Sequence, residues 1–368
     1  MADSRAASGL TVQQWDDKFF TEYLTDNRFA GEMGTDENSI IQVKEDLTKK
    51  AGDSVTYALV NRLTNAGVTG TQVLEGNEED LISRSFRVYV DKIRHGVRVA
   101  EMEEQKSAID LRNAGRAALK VWIMEKTRDQ FITAQGSING VAYTSATEAE
   151  KDAWLVDNAD RVLFGAAVAN NSSNDHSASL LNVDATTDKL TSASLSILKR
   201  MALLASPKIR PFKTKDGYEY FVAFCGTNPF RDLKADLKVI NYSARAREGR
   251  GMDNNPLFQD GDQIYDGVIV REVPEISQFV SNVWTTLKTA GAASARVEPV
   301  FLCGQQALAM AWGQMARPTF RKEDDYGFIA GTGIEMAYGV GKIFTKPSGG
   351  TKLIQRGMAT GFFASAAD

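Results

Sequence analysis

Histidine and cysteine are almost missing from this sequence: His95 and His176, with Cys225 and Cys303, are all it contains. No HExxH, CxxC or paired Cys/His spacing exists, which excludes the familiar zinc sites. Neither histidine has a catalytic partner in its own stretch of sequence, and both cysteines sit in apolar runs, so they read as buried free thiols rather than as a disulfide framework. GxSxG is absent, and no serine stands where a nucleophile would be activated. GVGK, ending at Lys342, fails as a phosphate loop because Met336 and Ile343 occupy the places of the required glycine and hydroxyl residue. No apolar run approaches the roughly 18 residues needed to span a bilayer, and MADSRAASGLTVQQWDDKFF has no basic region followed by an apolar stretch. The expectation is a soluble protein that is not exported and does not engage membranes. The formal net charge of -4 lacks the basic excess that would grip nucleic-acid backbones.

Composition is otherwise that of a folded chain, with 43% hydrophobic and 24% charged residues. At 368 residues it exceeds what one core usually supports, so more than one lobe is expected. Nothing repeats at a period of 20 to 50 residues, which excludes solenoids and propellers. Residues 1–50 read as a polar arm carrying an aromatic cluster that includes Trp15 and Phe19. DSVTYALVN alternates, with Val55 and Tyr57 on one face, and SRSFRVYVDKIR alternates again. The Gly-rich stretch between them is too long for a tight turn and ends in Glu78, Glu79 and Asp80, which suggests a two-stranded excursion with an irregular tip.

Residues 103–135 predict one long helix nearly 50 Å in length at about 1.5 Å per residue, with Ala114, Ala118, Val121 and Trp122 on one face, extended by Phe131 and Ile132. Residues 136–187 are Gly, Ser, Asn and Thr rich, and VANNSSNDHSASLLNVDATTD reads as a loop. A second helix buries Leu195, Leu198, Met201, Ala202 and Ala205, with a cap at Asp188 or Thr191 and a stop at Pro207. DGYEYFVAFC reads as a strand buried on both faces, and a helix follows from Asn228 with Pro229 in its first turn. DGVIVREV and RVEPVFLC are further strands, the latter running into an expected helix, GQQALAMAWGQ. YGFIAGT and IEMAYGVGKIFT suggest a hairpin turning at Gly331 to Gly333. DGDQIYDG has alternating carboxylates but lacks the rest of a calcium loop, so it reads as a solvated turn.

One charge pattern stands out. Arg84, Arg87, Lys92, Arg94 and Arg98 face a single acid, Asp91, just after the acidic tip. The bland account is a solvated face; the sharper one is a basic segment meeting the acidic tip of a neighbouring subunit, where charge complementarity sets register.

The order of polar arm, excursion, long helix, α/β lobe and closing hairpin resembles the major-capsid fold of tailed phages, an α+β fold also seen in encapsulins and herpesvirus shell floors. DGYEYFVAFCGTNPFRDLKAD, NNPLFQDGDQIYDGVIVREVPEI, VFLCGQQALAMAWG and DDYGFIAGTGIEMAYGVGK resemble the capsid family of short-tailed phages that carry a virion RNA polymerase, and of related prophages. The resemblance implies an arm at 1–50, an extended loop at 51–100, a peripheral domain at 101–204, an axial domain at 205–315, a closing hairpin at 316–346 and a tail at 347–368. It implies no enzyme activity, no cofactor and no metal. It implies hexamers and pentamers closing an icosahedral shell, a portal protein, a scaffold or decoration protein, and enclosed double-stranded DNA bound without sequence specificity. Assembly would take place in the bacterial cytoplasm and the product would be the virion capsid. Candidate assembly contacts are Val55, Tyr57, Glu78, Glu79, Asp80, Arg84, Arg87, Trp15 and Phe19. An encapsulin-like compartment and a soluble α/β enzyme remain as alternatives.

Overall fold

Apolar alternation and unbroken apolar runs organise this chain into two sheets. The computed structural model describes residues 29–45, 52–60, 67–78, 83–100, 102, 106, 111–214, 217–245, 263–324, 329–346 and 351–365. Strands β1 (Met33–Gly34), β2 (Ile41–Lys44), β3 (Ser54–Val60), β4 (Ser83–Tyr89) and β5 (Asp91–Ala100) precede helices α1 (Leu111–Gly136) and α2 (Glu148–Asn158). Strand β6 (Val162–Phe164), helices α3 (His176–Leu181) and α4 (Ser192–Leu204), and strands β7 (Phe212–Lys213) and β8 (Glu219–Cys225) come next. Helix α5 (Thr227–Arg245), strands β9 (Gln263–Tyr265) and β10 (Val268–Glu272), helix α6 (Pro274–Asn282) and strand β11 (Val297–Cys303) continue the fold. The last described strands are β12 (Leu308–Asp324), β13 (Ile329–Lys342), β14 (Phe344–Thr345), β15 (Ile354–Gln355) and β16 (Met358–Ala364).

The larger sheet runs β6-β16-β11-β8-β10-β9, with β7 added on β8. Strands β11 and β16 are buried along their whole length, as is the apolar run of β8 from Phe221. Alternate residues enter opposite cores: Phe221, Ala223 and Cys225 meet Leu195, Leu198, Phe230 and Leu233 of α4 and α5, while Val222 and Phe224 enter the core that holds Phe131 and Ile276. This is why these strands read as continuous apolar runs. The α4 expectation holds in detail. Thr191 caps it through the Ser194 amide, and Leu195, Leu198, Met201, Ala202 and Ala205 are buried.

The smaller sheet runs β1-β2-β12-β13-β5. Its long members correct several expectations. GQQALAMAWGQ is not a helix but the start of β12, paired with β2 on one side and β13 on the other. Alanine favours helices locally, yet alternation wins: Leu308, Met310 and Trp312 enter the main core, while Ala309 and Ala311 face the β3–β4 ladder. Gly331 to Gly333 is not a turn either. It lies inside β13, between Thr319 to Arg321 of β12 and Gly96 to Arg98 of β5. The β12–β13 connection, 325–328, lies outside the described residues.

The alternating stretch at 83–94 is two strands. It breaks at Val90, whose amide donates to the Asp53 carbonyl at 2.9 Å; β4 pairs with β3, whereas β5 pairs with β13. Residues 51–100 are therefore not one excursion. The described helix α1 starts at Leu111; Phe131 and Ile132 are buried as expected and Trp122 packs partly on the core, but the N-terminal part of the face is rotated, with Gly115, Leu119, Ile123 and Thr127 inward and Ala114, Ala118 and Val121 exposed. Residues 136–187 contain two helices and a sheet strand, and part of the expected loop forms α3. The expected tail contributes β16, a central strand of the larger sheet.

Close approach of the β3–β4 ladder to β13 requires glycine at 339. A Cβ built there collides with the Tyr89 carbonyl oxygen. Gly339→Ala is expected to destabilise the subunit by about 1–3 kcal/mol, measurable as a drop in thermal midpoint. An unchanged midpoint would show that the ladder can lift without cost.

Candidate functional site

The β3–β4 ladder is the element that the sequence singles out for contacts between subunits. Its register pairs Val55 with Val88 and Tyr57 with Phe86. Period-two alternation puts these four side chains on one face, packed on Ala309, Ala311 and Ile343. Val55 is 4% exposed and Tyr57 only 1%. The Tyr57 hydroxyl donates to the Met310 carbonyl at 2.6 Å, the Lys44 ammonium stands 4.7 Å from its ring centroid, and Phe86 meets Phe344 edge-on at 5.2 Å. Val55 and Tyr57, expected as assembly contacts, are instead contacts within the subunit. They root the ladder. Alternation alone identifies a buried face without saying which body buries it.

The opposite face presents Thr56, Ser85, Arg87 and Tyr89 to solvent. Beyond the strands, Val73 and Leu74 are 66% and 56% exposed. Glu78 is exposed and accepts the Gly76 amide at 2.7 Å. Glu79, Asp80, Trp15 and Phe19 lie outside the described residues.

The basic stretch divides by role. Lys92 bonds Glu335 at 2.8 Å, and Arg317 reaches the same carboxylate. Glu335 is held down to about 2, chiefly by the hydrogen bond from Lys92. Lys92 thus serves its own sheet, while Arg87, Arg94 and Arg98 remain exposed. Arg84 is half-buried and adds its charge to Arg356, Arg161 and Arg210; the Arg356 pKa is lowered first by burial and then by these three. This arginine cluster had no sequence signal, because its members are scattered along the chain. Arg161 is fully buried and bonds Asp160 and the carbonyls of Gln355 and Ser206.

Catalytic chemistry finds little support. Both thiols are buried and their hydrogen bonds go to backbone carbonyls, of Arg271 and Phe301. Burial raises the Cys303 pKa, the reverse of activation. His95 stacks against Trp122 with centroids 4.6 Å apart. The described half of DGDQIYDG forms the β9–β10 turn, where the Asp266 carboxylate bonds Lys199 at 2.9 Å and Ser196 at 3.1 Å. Among the described residues, no helix is long and apolar enough to cross a membrane.

Residues 5–360 match the phage capsid protein family. The chain belongs to that family. It is 30% identical over 335 residues to the major capsid protein of Pseudomonas phage KPP25, covering 86% of this chain and 83% of that protein. It superposes on the cyanophage Pam1 capsid asymmetric unit with a TM-score of 0.82 and 37% identity, each chain being covered in full. The capsid of Ralstonia phage GP4 has the same fold, with a TM-score of 0.71 at 21% identity over 100% of this chain and 95% of that one. The tailed-phage capsid fold expected from the order of elements is therefore the fold observed. Phage capsid proteins are structural proteins and not enzymes, so the enzyme and compartment alternatives give way to the phage shell.

Proposed function

We infer that this chain is the major subunit of an icosahedral phage shell. The observation that carries this reading is the match to a solved capsid subunit over the entire chain, at 37% identity. Assembly rests on heterologous contacts, in which a patch on one copy meets a different patch on the next and the rotation closes into a ring. The exposed face and tip of the β3–β4 ladder supply one such patch. Arg87 and Glu78 carry opposite charges there, which suits register between copies.

Further steps extend this reading to hexamers and pentamers, a portal at one vertex, a scaffold or decoration protein, and double-stranded DNA inside a shell assembled in the host cytoplasm. The net charge of -4 supports a container that does not grip its contents. Residues 1–28 would be the arm, shorter than the 1–50 expected because β1 and β2 place 33–44 in the smaller sheet and Phe29, Ile40 and Ile41 are buried in the main core; α1 and the smaller sheet would be the peripheral domain, and the central part of the larger sheet the axial domain. Recombinant protein is expected to form rings or closed shells in negative-stain electron micrographs, alone or with a scaffold. A product that stays monomeric under all assembly conditions overturns the reading.

A further inference from the structure

Polar side chains from four separate elements line one cavity beside the main core. Gln135 comes from the end of α1, Trp154 from α2, Lys342 from the end of β13 and Thr360 from β16. The cavity measures about 10 Å³, and these four residues are 0%, 1%, 3% and 3% exposed. The rest of its wall is apolar or aromatic, with Ile138, Leu287 and Phe301 in it. No carboxylate lines it among the described residues.

These groups have more to donate than the surrounding protein takes up. Trp154 Nε1, Thr360 Oγ1 and both amide atoms of Gln135 make no hydrogen bond among the described residues. Lys342 Nζ gives one of its three protons to the Gln135 carbonyl at 3.2 Å and stands 5.6 Å from the Trp154 ring centroid. The other ammonium protons, the indole N–H, the amide NH2 and the hydroxyl are left to donate, against Gln135 Oε1 and Thr360 Oγ1 as orphaned acceptors. Buried polar groups are normally satisfied, and a buried charge normally has a partner. Excess donors, an ammonium and a wall without carboxylates call for an acceptor that is itself negative. A water molecule offers two lone pairs and no charge to set against the lysine. Sulfate and phosphate are too large for a space that suits about one water. A halide accepts from every side and is only slightly wider than water.

We propose that Gln135, Trp154, Lys342 and Thr360 bind one halide ion, chloride or bromide. The ion ties β13 of the smaller sheet to β16 of the larger one, with α1 and α2 at its sides.

The test is thermal unfolding of the full chain as sodium bromide or chloride replaces sodium gluconate at constant ionic strength. At about pH 6 the lysine is charged, since burial lowers its pKa only to about 7. The expected result is a wild-type midpoint that rises with halide and saturates, as a bound ligand requires. Bromide should quench tryptophan fluorescence over the same range, because Trp154 and Trp284 both line the cavity. Thr360→Val keeps the shape and removes the hydroxyl, and Trp154→Phe removes the indole N–H. Each should weaken the halide response at least about tenfold, the loss of one buried hydrogen bond to a charged group. Lys342→Met should unfold at a midpoint that halide does not move; its own gain in stability is read in the halide-free buffer. A wild-type midpoint indifferent to halide overturns the proposal and leaves the cavity to a water. So does a response that never saturates, or one that all three variants retain. Because both readouts report single subunits, the result does not depend on whether shells form.

Discussion

Deleting residues 62–82 is expected to leave a folded subunit that closes no shells. The excised segment includes 67–78, all exposed or half-exposed, with Val73 and Leu74 facing solvent. The root stays: Val55, Tyr57, Phe86 and Val88 keep their packing on Ala309, Ala311 and Ile343, and the Tyr57 hydroxyl keeps its bond to the Met310 carbonyl. Stability should therefore change little, because no described core residue is removed. Assembly should be lost because stable interfaces need at least about 1,000 Å² of buried surface, much of it here from extended segments. Circular dichroism and thermal unfolding would report the fold, and electron microscopy with size-exclusion chromatography the shells. Normal shells from the deleted chain would show that the ladder tip is not an assembly element. A chain that fails to fold would instead assign the tip a role in the subunit's own stability.

Replacing Lys342 by methionine should stabilise the subunit in a pH-dependent way. Lys342 is buried at the end of β13, beside a cavity of about 10 Å³, room for about one water. Its Nζ donates to the Gln135 carbonyl at 3.2 Å and stands 5.6 Å from the Trp154 ring centroid. No carboxylate bonds it among the described residues. Burial lowers its pKa from 10.5 to about 7, with Cys303 pulling weakly the other way. The folded chain therefore binds fewer protons than the unfolded chain between these values. Stability falls as pH drops from 10.5 towards 7, and the penalty is complete below that. Methionine keeps the volume and removes the charge, while leaving the Gln135 carbonyl without its donor at a cost of about 1 kcal/mol. The net gain at neutral pH should be on the order of 2–3 kcal/mol, several degrees in thermal midpoint. The advantage should shrink steadily as pH approaches 10.5. A gain that is the same at pH 7 and in strong alkali, or no gain at all, would mean that the lysine is not held against its charge.

Much of the architecture was legible because its signals are local. Thr191 caps α4 because a hydroxyl beside a free helix amide needs no distant partner. The apolar run at Phe221 announces a strand covered on both faces, whatever covers it. Other features resisted for one shared reason. GQQALAMAWGQ suits helix or strand until β2 and β13 offer it hydrogen-bonding partners from far along the chain. Ala114 and Ala118 look like a buried face, but alanine tolerates exposure; Gly115, Leu119 and Ile123 decide the rotation of α1 by fitting against Val97, Thr332 and the core. His176 lies in a polar tract that reads as a loop, yet it is enclosed by rings from four separate segments.

By itself the sequence determined that the chain folds into α and β elements, that it lacks the usual catalytic constellations, and that a two-stranded ladder precedes a long helix. Periodicity, capping and composition act over a few residues, so they survive without a structure. Tertiary structure alone decided which body each apolar face is buried against. It turned Val55 and Tyr57 from contacts between subunits into the root of their own ladder, because Ala309 and Ala311, some 250 residues away, leave room for them. It also brought Gln135, Trp154, Lys342 and Thr360 together round one cavity, through packing of α1, α2, β13 and β16 that no local spacing encodes.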